Sequence, residues 1–176
     1  MTRGRWREHP QAEAKQEQLF AFVGRYLIGF QWMEGKLDEI ILLGRGHENW
    51  ADTQRVLAAR TNEAKVEMVR ELIFGQTVFR KVTIDGWYEH VDLLIARLHS
   101  ERQRRNDLLH ASFLFDLIAL GGPVIAISRR RGADHTERFS EDGLTDDRQG
   151  EILAAIGDLA DNVARLHTQL IHVYEP

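Results

Sequence analysis

Apolar side chains recur about every 3.6 residues along most of this chain, which is the period of an amphipathic helix. The longest such stretch predicts a first helix from about Gln11 to Leu43, ended by the glycines at positions 44 and 46. Two shorter helices are predicted to follow, one over about 48–60 and one over about 62–75. Asn62 is a suitable N-cap for the second of these.

The second half of the chain contains two further helical stretches. One is predicted from about Asp85 to Phe113, and the other runs from Thr145 to about His172. Thr145 is a suitable N-cap for that last helix. The predicted fold class is therefore all-α, a helical bundle of about five helices in a single domain over 1–176, with the first ten residues flexible.

The helical period is lost between the last two predicted helices. Two short segments at 124–127 and 136–139 flank a turn-rich stretch at 129–134. Glycine and proline at 121–123 would form a hinge into this part of the chain. We therefore predict a β-hairpin or a flexible flap between about 121 and 143.

Composition limits the classes of function. The 176 residues carry a formal net charge of −4, so a site for a polyanion must be a local cluster of arginines. The chain has no cysteine, which fits a cytoplasmic protein, and we expect no membrane segment because Asp116 and the glycines at 121–122 interrupt the most apolar run. No metal-ligand motif accompanies the eight histidines, and neither a metal nor a cofactor is predicted.

A polar quartet lies near the end of the fourth predicted helix: Arg105, Asn106, Asp107 and His110. Asn106 and His110 stand four residues apart and project from the same helix face. Histidine titrates near neutral pH and arginine stays charged, a pairing that suits proton transfer beside a phosphate. From chemistry alone the same residues are more typical of a helix end with solvated arginines and a histidine that hydrogen-bonds a carbonyl, and both interpretations stay open at this point.

Helical geometry restricts how the quartet could act on one ligand. At about 100° per residue, Arg105 lies about 140° from His110 around the helix. One straight helix therefore does not direct both side chains to the same point. Either the helix is distorted there, or Arg105 and His110 meet through a second copy of the chain.

Charged residues outside the quartet are secondary candidates. His99 lies on the same polar stripe of the helix, and it and Arg102 are candidates for substrate binding. Arg129 and Arg130 belong to a predicted basic loop tip, which could hold phosphates or serve solubility. Three acidic side chains of the first helix are interpreted as a solvated face or as part of a cleft with His99: Glu34, Asp38 and Glu39.

The stretch Arg105-Asn106-Asp107-Leu108-Leu109-His110 resembles the motif of the HEPN superfamily of all-helical domains. That motif is an arginine, usually followed by a polar residue, with a histidine about four to six residues further on. Arg105, Asn106 and His110 match these positions. Some toxins of the superfamily have a tyrosine two residues after the histidine. Ser112 stands there in this chain, so a modification of that tyrosine is not implied.

The resemblance implies a metal-independent endoribonuclease with a toxin–antitoxin or phage-defence role. It also implies a homodimer, because the motifs of two copies form one cleft in that superfamily. Arg105, Asn106 and His110 would be catalytic, and the partners would be RNA and a cognate antitoxin protein. The alternative is a non-catalytic helical dimer that binds a protein partner or a nucleotide, since the superfamily includes members without activity.

Overall fold

The computed structural model describes residues 10–75, 78–79, 82–114, 118, 122–131 and 137–174. Within these ranges the chain is mainly helical, with five α-helices and a small antiparallel sheet before the last helix. The elements in chain order are α1 (Pro10–Arg45), a 3₁₀ turn (His47–Asn49), α2 (Trp50–Ala58), α3 (Asn62–Phe74), α4 (Trp87–Leu109), β1 (Ser112–Leu114), β2 (Val124–Arg131), β3 (Glu137–Leu144) and α5 (Asp146–Val173). The predicted mainly helical fold is confirmed. No helix in the described ranges is both long enough and apolar enough to cross a membrane.

The chain divides into two compact units. The first unit comprises Met1–Ile28 and Arg104–Ala155, and the second comprises Gly29–Gln103 and Ile156–Pro176. Buried apolar side chains of the first unit include Leu19, Phe22, Tyr26, Val124, Ala126, Leu144 and Ile152. Those of the second include Met33, Leu37, Ile40, Val69, Ile73, Val91, Leu98, Leu159, Val163 and Leu170. Whether the chain is a single domain stays a prediction.

The sheet belongs to the first unit and has the strand order β1-β2-β3. Val124 of β2 lies opposite Leu144 of β3, and the antiparallel register continues to Arg131 opposite Glu137. This pairing confirms the predicted hairpin for its two strands. Of the turn-rich stretch predicted at 129–134, residues 129–131 belong to β2, and residues 132–134 lie outside the described residues, as does the hinge glycine at 121. The third strand, β1, was not predicted.

Helix α4 ends four residues earlier than predicted. The expected helix reached Phe113, but α4 stops at Leu109 and Ser112–Leu114 form β1. Phe113 lies opposite Ala126 in the sheet. A short apolar run suits a strand as well as a helix, and pairing with β2, which is distant in sequence, selects the strand.

Two N-cap residues were predicted from the sequence, and the structure supports one of them. Thr145 is confirmed as the N-cap of α5, since its Oγ1 accepts a hydrogen bond from the Arg148 N–H at 3.2 Å. Asn62 as the cap of α3 is wrong. The neighbouring Thr61 has extended backbone angles, and its Oγ1 accepts from the Ala64 N–H at 3.3 Å. Gly46 follows α1 with a φ of 83°, the left-handed conformation that glycine adopts most readily.

Candidate functional site

The C-terminal end of α4 positions the polar quartet in the first unit. The Arg105 guanidinium donates from Nη1 to the amide oxygen Oδ1 of Asn106 at 3.0 Å, in a partly buried setting. The backbone N–H of His110 donates to the Asn106 carbonyl at 3.0 Å, which keeps a helical turn up to the histidine. The His110 side chain is exposed. The structure therefore brings Arg105 and Asn106 together and presents the imidazole at the helix end.

The sheet register directs Arg129 toward the same end of the first unit. Ser112 of β1 lies opposite Ile127 of β2. Because the strands are antiparallel, the residues before Ser112 and those after Ile127 lie toward the same end of the sheet. His110 precedes Ser112 by two residues and Arg129 follows Ile127 by two, a length of about 7 Å along an extended strand. Arg129 therefore lies at the sheet end where the chain passes from α4 into β1.

The exposed face of the sheet carries this arginine. Val124, Ala126 and Ser128 are buried, whereas Arg129 is exposed, as expected for side chains that alternate across a strand. The predicted loop tip is wrong for Arg129 and Arg130, because both lie within β2, opposite Phe139 and Arg138. Backbone pairing in the hairpin extends the strand beyond its apolar residues. The side chain of Arg130 lies outside the described part of the structure.

His99 and Arg102 lie in the second unit and contact the carboxylates of α3. The His99 ring nitrogen Nε2 lies 2.9 Å from Oε1 of Glu67. Nη1 of Arg102 lies 3.1 Å from Oε2 of Glu63. A phosphate at either residue would have to compete with a carboxylate that is already within hydrogen-bonding distance. Their predicted role in substrate binding is not tested by these contacts and stays a prediction.

Of the three acidic residues predicted as a solvated face of α1, Glu34 and Asp38 are mostly buried, whereas Glu39 is 43% exposed. Glu34 and Asp38 both contact the ammonium of Lys65 on α3, whose side chain is only 9% exposed. Lys65 stands four and eight residues before the buried Val69 and Ile73, a spacing that places it on the same helix face. The spacing of Lys65 to Val69 and Ile73 therefore indicates from the sequence that this lysine is buried. A buried lysine requires carboxylate partners.

Glu39 has two basic neighbours, the ammonium of Lys36, which donates to its Oε2 at 2.6 Å, and the imidazole of His167 on α5. Its Oε2 lies 3.4 Å from Nδ1 of His167. Burial lowers the pKa of His167 below its ordinary value, and it outweighs the opposing effect of the Glu39 charge. Burial therefore favours the neutral form of this imidazole despite the adjacent carboxylate.

Within the described ranges, no group of three or more His, Asp or Glu side chains is arranged to hold a metal ion. No family model, curated protein sequence or solved structure matches the chain. The resemblance to the HEPN superfamily therefore remains a prediction from the motif.

Proposed function

We propose that this protein is a metal-independent endoribonuclease of HEPN type, a helical bundle that acts as a homodimer in a toxin or defence role. The observation that carries the proposal is the register of β1 and β2. Because of this register, the exposed Arg129 lies toward the end of the sheet at which β1 begins, two residues after His110. The same unit contains Arg105 and Asn106. Cationic side chains near a titratable imidazole suit cleavage of a phosphodiester.

In this proposal the reaction is a transesterification within the RNA. The ribose 2′-oxygen forms a bond to phosphorus, and the bond between phosphorus and the 5′-oxygen of the next nucleotide breaks. His110 of one copy takes the proton of the 2′-hydroxyl, and His110 of the partner subunit gives a proton to the leaving oxygen. The products are a 2′,3′-cyclic phosphate and a 5′-hydroxyl, and no redox partner is required.

Arg105 stabilises the negative charge that develops on the phosphorane. The hydrogen bond from Arg105 to Asn106 limits the orientations of the guanidinium, so Asn106 acts as a positioning residue. Arg129 binds a neighbouring phosphate of the RNA through charge, with little dependence on base sequence.

Exposed apolar side chains of the first unit support a dimer. Phe20 and Ile28 of α1, Leu109 at the end of α4 and Leu114 of β1 are all exposed. Full burial of such a side chain from complete exposure gains about 1.5–3 kcal/mol, and these side chains, which are 39–68% exposed, can gain a corresponding fraction of it. Leu109 directly precedes His110, so a symmetric interface whose two-fold axis passes near Leu109 would bring two copies of the imidazole close to one another.

The direct test is cleavage of a mixed single-stranded RNA pool in the presence of EDTA. We expect wild-type protein to cleave, and His110→Ala to lower the rate by about 10²–10⁴ because it removes the proton-transfer group. His90→Ala is the matched control, since His90 is also an exposed histidine of α4. Equal activity of wild type and His110→Ala, or absence of cleavage in both, would contradict the proposal.

Dimerisation has its own matched pair of variants. Ile28 in the first unit is 68% exposed and Ile84 in the second is 65% exposed. Ile28→Glu should shift the protein toward monomer in light scattering, because a charge at an apolar interface is strongly unfavourable. Ile84→Glu should leave the mass unchanged. A monomeric wild type at micromolar concentration would contradict the dimer.

The second candidate function is a non-catalytic dimer that binds a protein partner or a nucleotide. The observations that favour it are the formal net charge of −4 and the carboxylates beside His99 and Arg102. Under this function His110→Ala would leave binding of a cognate antitoxin protein intact, and no RNA would be cut by wild type. The cleavage test above distinguishes the two functions.

A further inference from the structure

A pocket of about 270 Å³ lies in the second unit, and none of the residues assigned to RNA cleavage lines it. Its lining is part apolar and part polar: Asp38, Leu42, Gln54, Leu57, Ala58 and Lys65. These residues come from α1, α2 and α3. Such a combination of apolar wall and few polar groups is typical of a site for a small organic molecule.

The charges at this pocket do not balance. Nζ of Lys65 lies 3.0 Å from Oδ2 of Asp38 and 3.3 Å from Oε1 of Glu34. One ammonium is therefore shared by two carboxylates, and the three groups carry a formal charge of −1 when all are ionised. Lys65 is almost fully buried, whereas the side chains of Glu34 and Asp38 are 27% and 30% exposed, so water screens the excess negative charge only in part.

Asp38 is the carboxylate of this group that lines the pocket, whereas Glu34 does not line it. The second oxygen of Asp38, Oδ1, is shielded from solvent and has no hydrogen-bond partner among the residues that the structure describes. Burial raises the pKa of Asp38 above its ordinary value, and the hydrogen bond and charge of Lys65 only partly oppose that effect. A positive charge close to the carboxylate would stabilise its ionised form.

We propose that this pocket binds a small organic cation with an apolar body, of the amidinium, guanidinium or alkylammonium class. The cationic group lies against the accessible part of the Asp38 carboxylate, which lines the pocket, and balances the excess charge of Asp38, Glu34 and Lys65. The apolar body lies against Leu42 and Leu57. An anion would meet a net negative charge, because Lys65 is already shared by two carboxylates. This inference does not depend on the proposed ribonuclease activity.

Benzamidine and benzamide are suitable probes, because they share an aromatic ring and shape but only benzamidine is cationic. We expect benzamidine to bind wild-type protein in calorimetry or NMR titration with a Kd of about 1 mM or tighter, an ordinary affinity for a fragment of this size. Benzamide should bind at least about tenfold more weakly, since it lacks the charge-assisted hydrogen bond.

Two variants locate the binding. Asp38→Asn keeps the size of the side chain but removes its charge, and should weaken benzamidine binding about tenfold or more. Asp52→Asn on α2 is its control, since Asp52 is highly exposed and does not line the pocket. Ala58→Leu should block binding by filling the pocket. Ala51→Leu, at another exposed position of α2, should not.

Circular dichroism establishes that each variant is folded. If Asp38→Asn does not fold, the Ala58→Leu and Ala51→Leu pair decides the outcome. The proposal is overturned if wild-type protein does not bind benzamidine at 10 mM, a concentration about tenfold above the expected Kd. It is also overturned if benzamide binds equally well, or if the folded pocket variants bind like their controls.

Discussion

Two stretches of α4 carry the same residue types in different surroundings. His99 and Arg102, in the second unit, lie within 2.9 and 3.1 Å of the carboxylates of Glu67 and Glu63. In the first unit, Arg105 contacts the neutral amide of Asn106, and the imidazole of His110 is exposed at the helix end. The first pair can stabilise the packing of α3 and α4, whereas the His110 side chain is accessible to a ligand.

This difference shows why residue type alone is a weak guide to a phosphate site. A cation that already contacts a carboxylate must exchange one anion for another, so it gains little by binding a phosphate. The imidazole of His110, in contrast, is exposed at the end of α4. We therefore expect the residues around His110 to contribute more to RNA cleavage than His99 and Arg102.

The largest expected difference is between the cleavage rates of the Arg105→Ala and Arg102→Ala variants. Arg105→Ala should lower the single-turnover cleavage rate by about 10²–10³, the usual cost of losing one group that stabilises a developing negative charge. Arg102→Ala should change that rate by no more than about threefold, because the Arg102 guanidinium already contacts the Glu63 carboxylate and has little charge left to offer a phosphate. Equal losses in the two variants would remove the distinction between the stretches. Thermal unfolding should show that both variants are folded.

A smaller effect is expected from the arginines of β2. Arg129→Ala/Arg130→Ala should leave the cleavage step nearly unchanged but weaken RNA binding. The slope of log affinity against log salt should fall by about 1.4, or about 0.7 for each lost phosphate contact with a single strand. Arg55→Ala/Arg60→Ala removes two exposed arginines of the second unit and is the control. An unchanged slope would exclude Arg129 and Arg130 from the RNA interface.

Removal of the carboxylates next to His99 and Arg102 tests whether these carboxylates are what keeps the two residues from binding phosphate. Glu63→Gln/Glu67→Gln should increase RNA affinity by about two- to fivefold, because both cations become available to phosphate. Glu71→Gln/Glu89→Gln changes the net charge equally at two other exposed positions. If both double variants bind RNA alike, the gain reflects net charge only and the pairing has no specific effect.

The smallest expected effect is on the pH dependence of stability, and it tests whether the carboxylate of Glu39 is sufficient to keep the imidazole of His167 charged. Burial lowers the pKa of His167 although Glu39 lies 3.4 Å away. The unfolded chain therefore binds a proton more readily than the folded one, and stability should fall as the pH drops below about 6.5. His167→Gln should lose less stability than wild type between pH 7.5 and 5.5 in urea unfolding. A steeper loss in the variant would contradict this sign.

The sequence predicted the long helices well, because a 3.6-residue apolar period held over many turns is a strong local signal. It did not predict β1, since Phe113 and Leu114 suit either a helix or a strand and their partners, Ala126 and Ile125, are distant in the chain. The helix cap was assigned one residue too late, because Thr61 and Asn62 are both good capping residues.

The candidate site was predicted only as residue types. Arg105, Asn106 and His110 were identified from the motif, but the contact of Arg105 with Asn106 depends on side-chain conformation. The location of Arg129 depends on strand register, which no local pattern in the chain determines. Burial of Lys65 was detectable from its four-residue spacing to Val69, but its partners on α1 were not.

The most direct test is an NMR titration of the histidine rings with a 2′-O-methyl RNA, which binds but cannot be cleaved because its 2′-hydroxyl is blocked. One sample reports on both stretches of α4, and the spectra of His110→Ala and His99→Ala assign the two rings. We predict that the ring resonances of His110 shift on binding while those of His99 stay in place. A shift of His99 with an unmoved His110 would contradict the assignment of the RNA site to the end of α4.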